Sequence, residues 1–92
     1  MSDPEVINNK ERQQFEIRIG EYISKIPYTF KEDMIALFHT EVPEELRNKG
    51  LATKLTLYAL NFAKDHDLKI LPYCPFIAQY IKDHPQWEKY VK

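Results

Sequence analysis

At 92 residues, with 43% hydrophobic and 13% aromatic side chains, the chain has the length of one domain (1–92) and enough core formers to fold alone. Its formal net charge of -1, from 13 Lys and Arg against 14 Asp and Glu, speaks against a general polyanion binder and against disorder. One cysteine excludes an internal disulfide and a Cys-rich zinc site, and two glycines exclude both the GxGxxG fingerprint and the GxxxxGK[ST] phosphate loop.

In chain order, the first forty residues read as strands. Met1-Ser2-Asp3-Pro4-Glu5 has no basic stretch leading into an apolar run, so no secretory leader is expected. Val6-Ile7 is a short strand candidate. Gln14 to Ile19 alternates Phe15, Ile17 and Ile19 against Glu16 and Arg18, the period of a half-buried strand. Gly20-Glu21 is a tight connection to a second strand, Tyr22 to Tyr28, in which Pro27 predicts an edge position or a bulge. After the polar turn Lys31-Glu32-Asp33, the apolar run Met34 to Thr40 predicts a central strand covered on both faces.

Then the period changes. Lys49 to Asp65 places Leu51, Leu55, Tyr58, Ala59, Phe62 and Ala63 at helical spacing, an amphipathic helix roughly 24 Å long. Leu57 and Leu60 widen its apolar face. Lys69 to Tyr73 reads as one more strand. Pro75 suits the first position of a second helix, with Cys74 at or beside its N-cap and a stripe of Phe76, Ile77, Tyr80 and Ile81. Pro85 opens a last turn carrying Trp87, Tyr90 and Val91. The predicted class is α+β: a mostly antiparallel central sheet with one long helix and a C-terminal helix. No apolar run approaches the ~18–20 residues that span a bilayer, so a cytoplasmic location is expected.

Charge is divided unevenly. Residues 1–46 hold ten acids and five bases, whereas 47–92 hold eight bases and four acids. The division fits either solvated faces or a domain that holds an anion with its second half and meets a cation with its first. The segment Val42-Pro43-Glu44-Glu45-Leu46-Arg47-Asn48-Lys49-Gly50-Leu51-Ala52 enters the long helix, whose N-terminus offers free N–H groups and a positive dipole end. Gly50 lets the backbone approach an anion, and Arg47 and Lys49 add charge. From physics alone this is a pyrophosphate-binding turn or an ordinary strand-to-helix loop.

Arg47-Asn48-Lys49-Gly50-Leu51-Ala52 resembles the R/Q-x-x-G-x-G/A signature of the GCN5-related N-acetyltransferases. The wider run His39 to Arg47, followed by Pro72-Tyr73-Cys74-Pro75-Phe76 and His84-Pro85, resembles a short, single-domain branch of that superfamily. The resemblance implies a compact fold of that type that uses acetyl-coenzyme A. Glu41, Val42 and Pro43 would then offer backbone to the pantetheine arm, and Arg47, Asn48, Lys49, Gly50, Leu51 and Ala52 would hold the pyrophosphate. Cys74 matches a cysteine near the thiol end of the coenzyme, a candidate acyl acceptor. Asn48 stands where many relatives have Gly, and the helices that build the amine side in larger relatives are missing.

Cys74 has a physical case too, because a helix N-terminus stabilises a thiolate; the competing reading is an inert core cysteine. His39, on the strand before the turn, is the candidate base for an attacking amine, or else a packing residue. His66 and His84 read as loop or helix-end residues, and no histidine pair has metal-site spacing, so no metal is expected. The expected function is transfer of acetyl from acetyl-coenzyme A to a primary amine, small-molecule or protein, by a monomer with neither nucleic acid nor membrane as partner. The thioester would sit in a gap between the Met34–Val42 strand and the strand ending near Tyr73, with catalytic Cys74 or His39 beside it. The alternative is a non-catalytic coenzyme A-binding module.

Overall fold

Alternating side chains and two tight turns build the first half of the molecule, seen here in a computed structural model that describes residues 4–92. Met1, Ser2 and Asp3, on which part of the no-leader expectation falls, lie outside the described residues. Strands β1 (Val6–Asn9), β2 (Gln14–Ile19), β3 (Tyr22–Lys31) and β4 (Met34–Leu37) form an antiparallel meander. Helix α1 (Leu51–Asp65) then crosses over to β5 (Lys69–Pro72), which lies parallel to β4 and completes the sheet order β1-β2-β3-β4-β5. Helix α2 (Pro75–Asp83) and a 3-10 helix (Pro85–Tyr90) follow, and Val91 bridges back to Ile70. The β2–β3 hairpin closes over Gly20-Glu21 with Ile19 opposite Tyr22, and Gly20 takes a φ of 59°, where a side chain would be strained.

The strand register sorts the sheet into two faces. Phe15 opposite Ile26, Tyr28 opposite Leu37 and Ile35 opposite Ile70 share one face, and all six side chains are buried. Helix α1 closes that face with Leu51, Leu55, Ala59, Leu60 and Ala63, and α2 adds Ile77 and Ile81 to the same core. The Phe15 ring anchors it, 4.6 Å from Tyr28, 5.3 Å from Tyr58 and 5.2 Å from Phe62 between centroids. Burying one such side chain contributes on the order of 1.5–3 kcal/mol. Leu60 joins the core as expected, but Leu57 stays 36% exposed. It lies two residues from Leu55, about 200° round the helix, and so points away from the sheet.

Three expectations change with tertiary structure. Strand β3 is interior and runs to Lys31, so Pro27 is not at an edge; the bulge alternative holds instead. Tyr28 pairs with Leu37 but Lys25 pairs with Glu41, so three residues, Phe38–Thr40, face two on β3, Ile26 and Pro27. Regular pairing of the Met34–Thr40 run therefore stops at Leu37. Finally, Glu16 is only 1% exposed, although its strand face carries no helix. Asn9, Gln14 and Arg18 close over it, with Asn9 Nδ2 at 3.0 Å and Arg18 Nη2 at 2.9 Å from its oxygens. Burial pushes its carboxyl up, but the hydrogen bonds from Gln14, Asn9 and Arg18 and the Arg18 charge outweigh that and hold it below its ordinary value.

Candidate active site

The turn before α1 owes its shape to a short anchor and two left-handed residues. Pro43 leads into a 3-10 turn, Glu44–Leu46, closed by Leu46 N–H to Pro43 O at 2.9 Å, and Leu46 is the buried peg that holds it. Beyond it, Asn48 has a φ of 64° and Gly50 a φ of 76°. Glycine adopts this region most easily and asparagine is among the side chains that tolerate it, so Asn48 suits this position. Gly50 is the N-cap of α1, and its carbonyl accepts the first helical bond from Lys54 at 3.0 Å. No side chain caps this end and its first turn holds no acid. The N–H groups of Leu51, Ala52 and Thr53 thus precede the first intrahelical bond.

Val42, Arg47, Asn48, Gly50, Leu51 and Ala52 line one groove of about 360 Å³, together with Leu46, Thr53 and Phe76. Among the described residues neither Arg47 nor Lys49 forms an ion pair, although Lys49 does not line the groove. A positive dipole end, an uncapped set of donors and two free cations suit a pyrophosphate. Glu41 and Pro43 line an adjoining depression of about 420 Å³ with Ile23, Lys25 and Thr40, and Val42 and Arg47 border both. Lys25 and Thr40 were not named as site residues from the sequence, and Phe76, expected in the apolar stripe of the second helix, is instead 42% exposed and borders the groove. Lys25 and Thr40 reach the site only through strand pairing.

Beyond Leu37 the two parallel strands part. The last tie between them is Cys74 N–H to Leu37 O at 3.0 Å; Tyr73 N–H turns back on Leu71 O, and the chain enters α2. On the other side Phe38 N–H bonds Pro27 O and Glu41 rejoins β3, exchanging two 2.9 Å bonds with Lys25. Among the described residues, the N–H groups of His39, Thr40 and Val42 have no backbone partner. Cys74 sits at the apex of this opening as the N-cap of α2, with Pro75 at the first helical position. It is 2% exposed, and its Sγ lies 3.3 Å from Thr40 Oγ1. The rings of Phe38 and Tyr73 stack at 5.9 Å on the lips of the opening, 42% and 62% exposed.

His39 is on the surface, its Nε2 2.9 Å from Glu41 Oε2, and Lys25 Nζ lies 3.7 Å from the same oxygen. The two candidate catalytic residues make no direct hydrogen bond to each other, His39 being exposed and Cys74 buried. His66 and His84 sit at helix ends, each bonding a carbonyl four residues back. Among the described residues no cluster of three His, Cys, Asp or Glu side chains could hold a metal ion, and no helix is long and apolar enough to cross a membrane.

Known proteins resemble this chain. The family model described as GCN5-related N-acetyl-transferase matches residues 14–91. The chain is similar to Protein NATD1 of Mus musculus, 32% identical over 90 residues, covering 87% of this chain and 76% of that protein. Protein NATD1 of Danio rerio is 33% identical over 87 residues, covering 89% and 79%. The solution structure of a candidate GCN5-like N-acetyltransferase from Staphylococcus aureus superposes with a TM-score of 0.76 at 25% identity, covering 100% of this chain and 91% of that one. With the parted strands, the uncapped helix and a match running from β2 to the last residues, the chain belongs to the GCN5-related N-acetyltransferase family of acyl-transferring enzymes.

Proposed function

We propose that the protein transfers the acetyl group of acetyl-coenzyme A to a primary amine, of a small molecule or a protein, as a cytoplasmic monomer. The observation that carries this reading is the opening between β4 and β5 standing beside an uncapped helix N-terminus. Arg47, Lys49 and the N–H groups of Leu51–Thr53 would hold the pyrophosphate. The Glu41–Pro43 backbone would run along the pantetheine arm, and the thioester would lie where the strands part. Unpaired N–H groups of the bulge are then available to the carbonyl oxygen as it gains charge.

The amine attacks the thioester carbon, a C–N bond forms, the C–S bond breaks, and the amine loses its proton. With Nε2–H donated to Glu41, His39 keeps its lone pair on Nδ1 and serves as proton acceptor. Glu41, itself beside Lys25, orients that ring. Cys74, whose N–H ties β4 to β5 at the apex of the opening, offers a second route in which the acetyl group rests on Sγ before reaching the amine.

An amide NMR titration with acetyl-coenzyme A, followed by turnover against an amine panel, tests the reading. Saturable shifts confined to Arg47–Ala52 and the surroundings of Cys74, with acetylated amine formed, are expected. Shifts without turnover on any amine make the chain a coenzyme-binding module. No shifts at millimolar coenzyme overturn both.

A further inference from the structure

The one-residue bulge has a chemical consequence at Thr40. In a regular strand continuing from Leu37, side chains alternate, so Phe38 and Thr40 would share the helix-free face of the sheet and Glu41 would point to the core. The register shows otherwise: Glu41 pairs with Lys25 and its carboxylate lies 3.7 Å from Lys25 Nζ on the helix-free face. The extra residue has inverted the alternation. Thr40 is thereby turned toward the core side, and its Oγ1 meets Cys74 Sγ at 3.3 Å, thirty-four positions away in the chain.

We propose that Thr40 is the positioning residue for Cys74, fixing the direction of its buried Sγ for acetyl transfer; this rests on the acetyltransferase reading above. The cysteine backbone is already fixed by its N–H bond to Leu37 and by Pro75 after it, which leaves the side-chain torsion as the free variable. A hydroxyl suits both forms of the sulfur. It accepts from the thiol S–H at rest and donates its own hydrogen once that proton has left to solvent. In the step itself a bond forms between Sγ and the acetyl carbonyl carbon. The bond from that carbon to the donor's sulfur breaks, and the departing sulfur takes a proton from solvent. No oxidant or reductant enters. Attack by the amine on acetyl-Cys74 then forms the C–N bond and returns the thiol.

The test compares wild type, Thr40→Val and Thr40→Ser, with Cys74→Ala as the blank. Acetylation of residue 74 is followed by mass spectrometry with two donors, acetyl-coenzyme A and p-nitrophenyl acetate. The second leaves p-nitrophenolate and needs no coenzyme site. The expected result is a loss of about tenfold or more in the rate of adduct formation with both donors for Thr40→Val, recovered by Thr40→Ser. NMR couplings are expected to show one Cys74 side-chain rotamer in wild type and Thr40→Ser and averaging in Thr40→Val. Coenzyme-induced shifts at 47–52 and the melting temperature should stay put. Wild-type rates in a folded Thr40→Val, a Thr40→Ser variant that stays slow, or a wild-type Cys74 that accepts acetyl from neither donor would each overturn the assignment. Adducts from p-nitrophenyl acetate without coenzyme shifts in wild type would instead sink the coenzyme reading and leave the Thr40–Cys74 pairing intact.

Discussion

Two charged regions of this small molecule treat their charges in opposite ways. Around Glu16 the carboxylate is buried, and the side chains of Asn9, Gln14 and Arg18 all donate to it. At the entrance to α1, Arg47 and Lys49 are exposed and pair with no carboxylate among the described residues, and the helix end has no side-chain cap. A charge satisfied inside the protein belongs to the fold, because removing one partner strands the other. A charge and a set of N–H groups left open are available to a ligand. The first region stabilises; the second is left open.

Substitutions can break that division, and the largest effect should come from the core beneath both regions. Phe15→Ala removes the ring that meets Tyr28, Tyr58 and Phe62 and is expected to cost about 3–5 kcal/mol in urea unfolding. Next comes Glu16→Gln, which leaves Arg18 facing a neutral amide and should cost about 1–3 kcal/mol at neutral pH. Glu16 ionises below its ordinary value when folded, so its contribution is fully present above the unfolded carboxylate range. It is lost as pH falls through the folded value. Unfolding followed from pH 7 down to pH 2 should therefore show a shallower acid slope for Glu16→Gln than for wild type.

The binding region should respond with the opposite signature. Arg47→Ala with Lys49→Ala is expected to weaken coenzyme binding about tenfold and to flatten its salt dependence, while the unfolding midpoint barely moves. A large loss of stability in that double variant would erase the distinction between the regions. Gly50→Ala lies between the two. Nothing stands within 4 Å of the added Cβ, so only the left-handed backbone resists it, at about 1 kcal/mol in thermal unfolding. The smallest effect belongs to Thr56, whose Oγ1 is buried in α1 without a partner. Thr56→Val should raise stability by roughly 0.5 kcal/mol, since an unmet hydroxyl is replaced by a methyl of the same shape.

Much of this was legible beforehand because it depends on neighbours in the chain. The alternation of Gln14–Ile19, the Gly20-Glu21 turn, the helical spacing from Leu51 to Ala63 and Pro75 after an N-cap are local signals, and each element stands where they placed it. The Arg47–Ala52 turn was equally readable, because a glycine before an apolar helix and two flanking cations need no distant partner to be recognised. Leu57 was misplaced because composition alone widened the helix face, whereas rotation about the axis takes it away from the sheet.

The amino-acid sequence by itself determined the order of strands and helices, the core-facing stripe and the turn that enters the long helix, since backbone periodicity and helix ends are set within a few residues. Tertiary structure alone decided that Pro27 lies inside the sheet, that Glu16 is buried, and that a bulge of one residue turns Thr40 onto Cys74. Each of these depends on which residue of one strand faces which residue of another. Pairing across more than ten positions is settled by the packing of the whole sheet, and a shift of one residue exchanges its two faces.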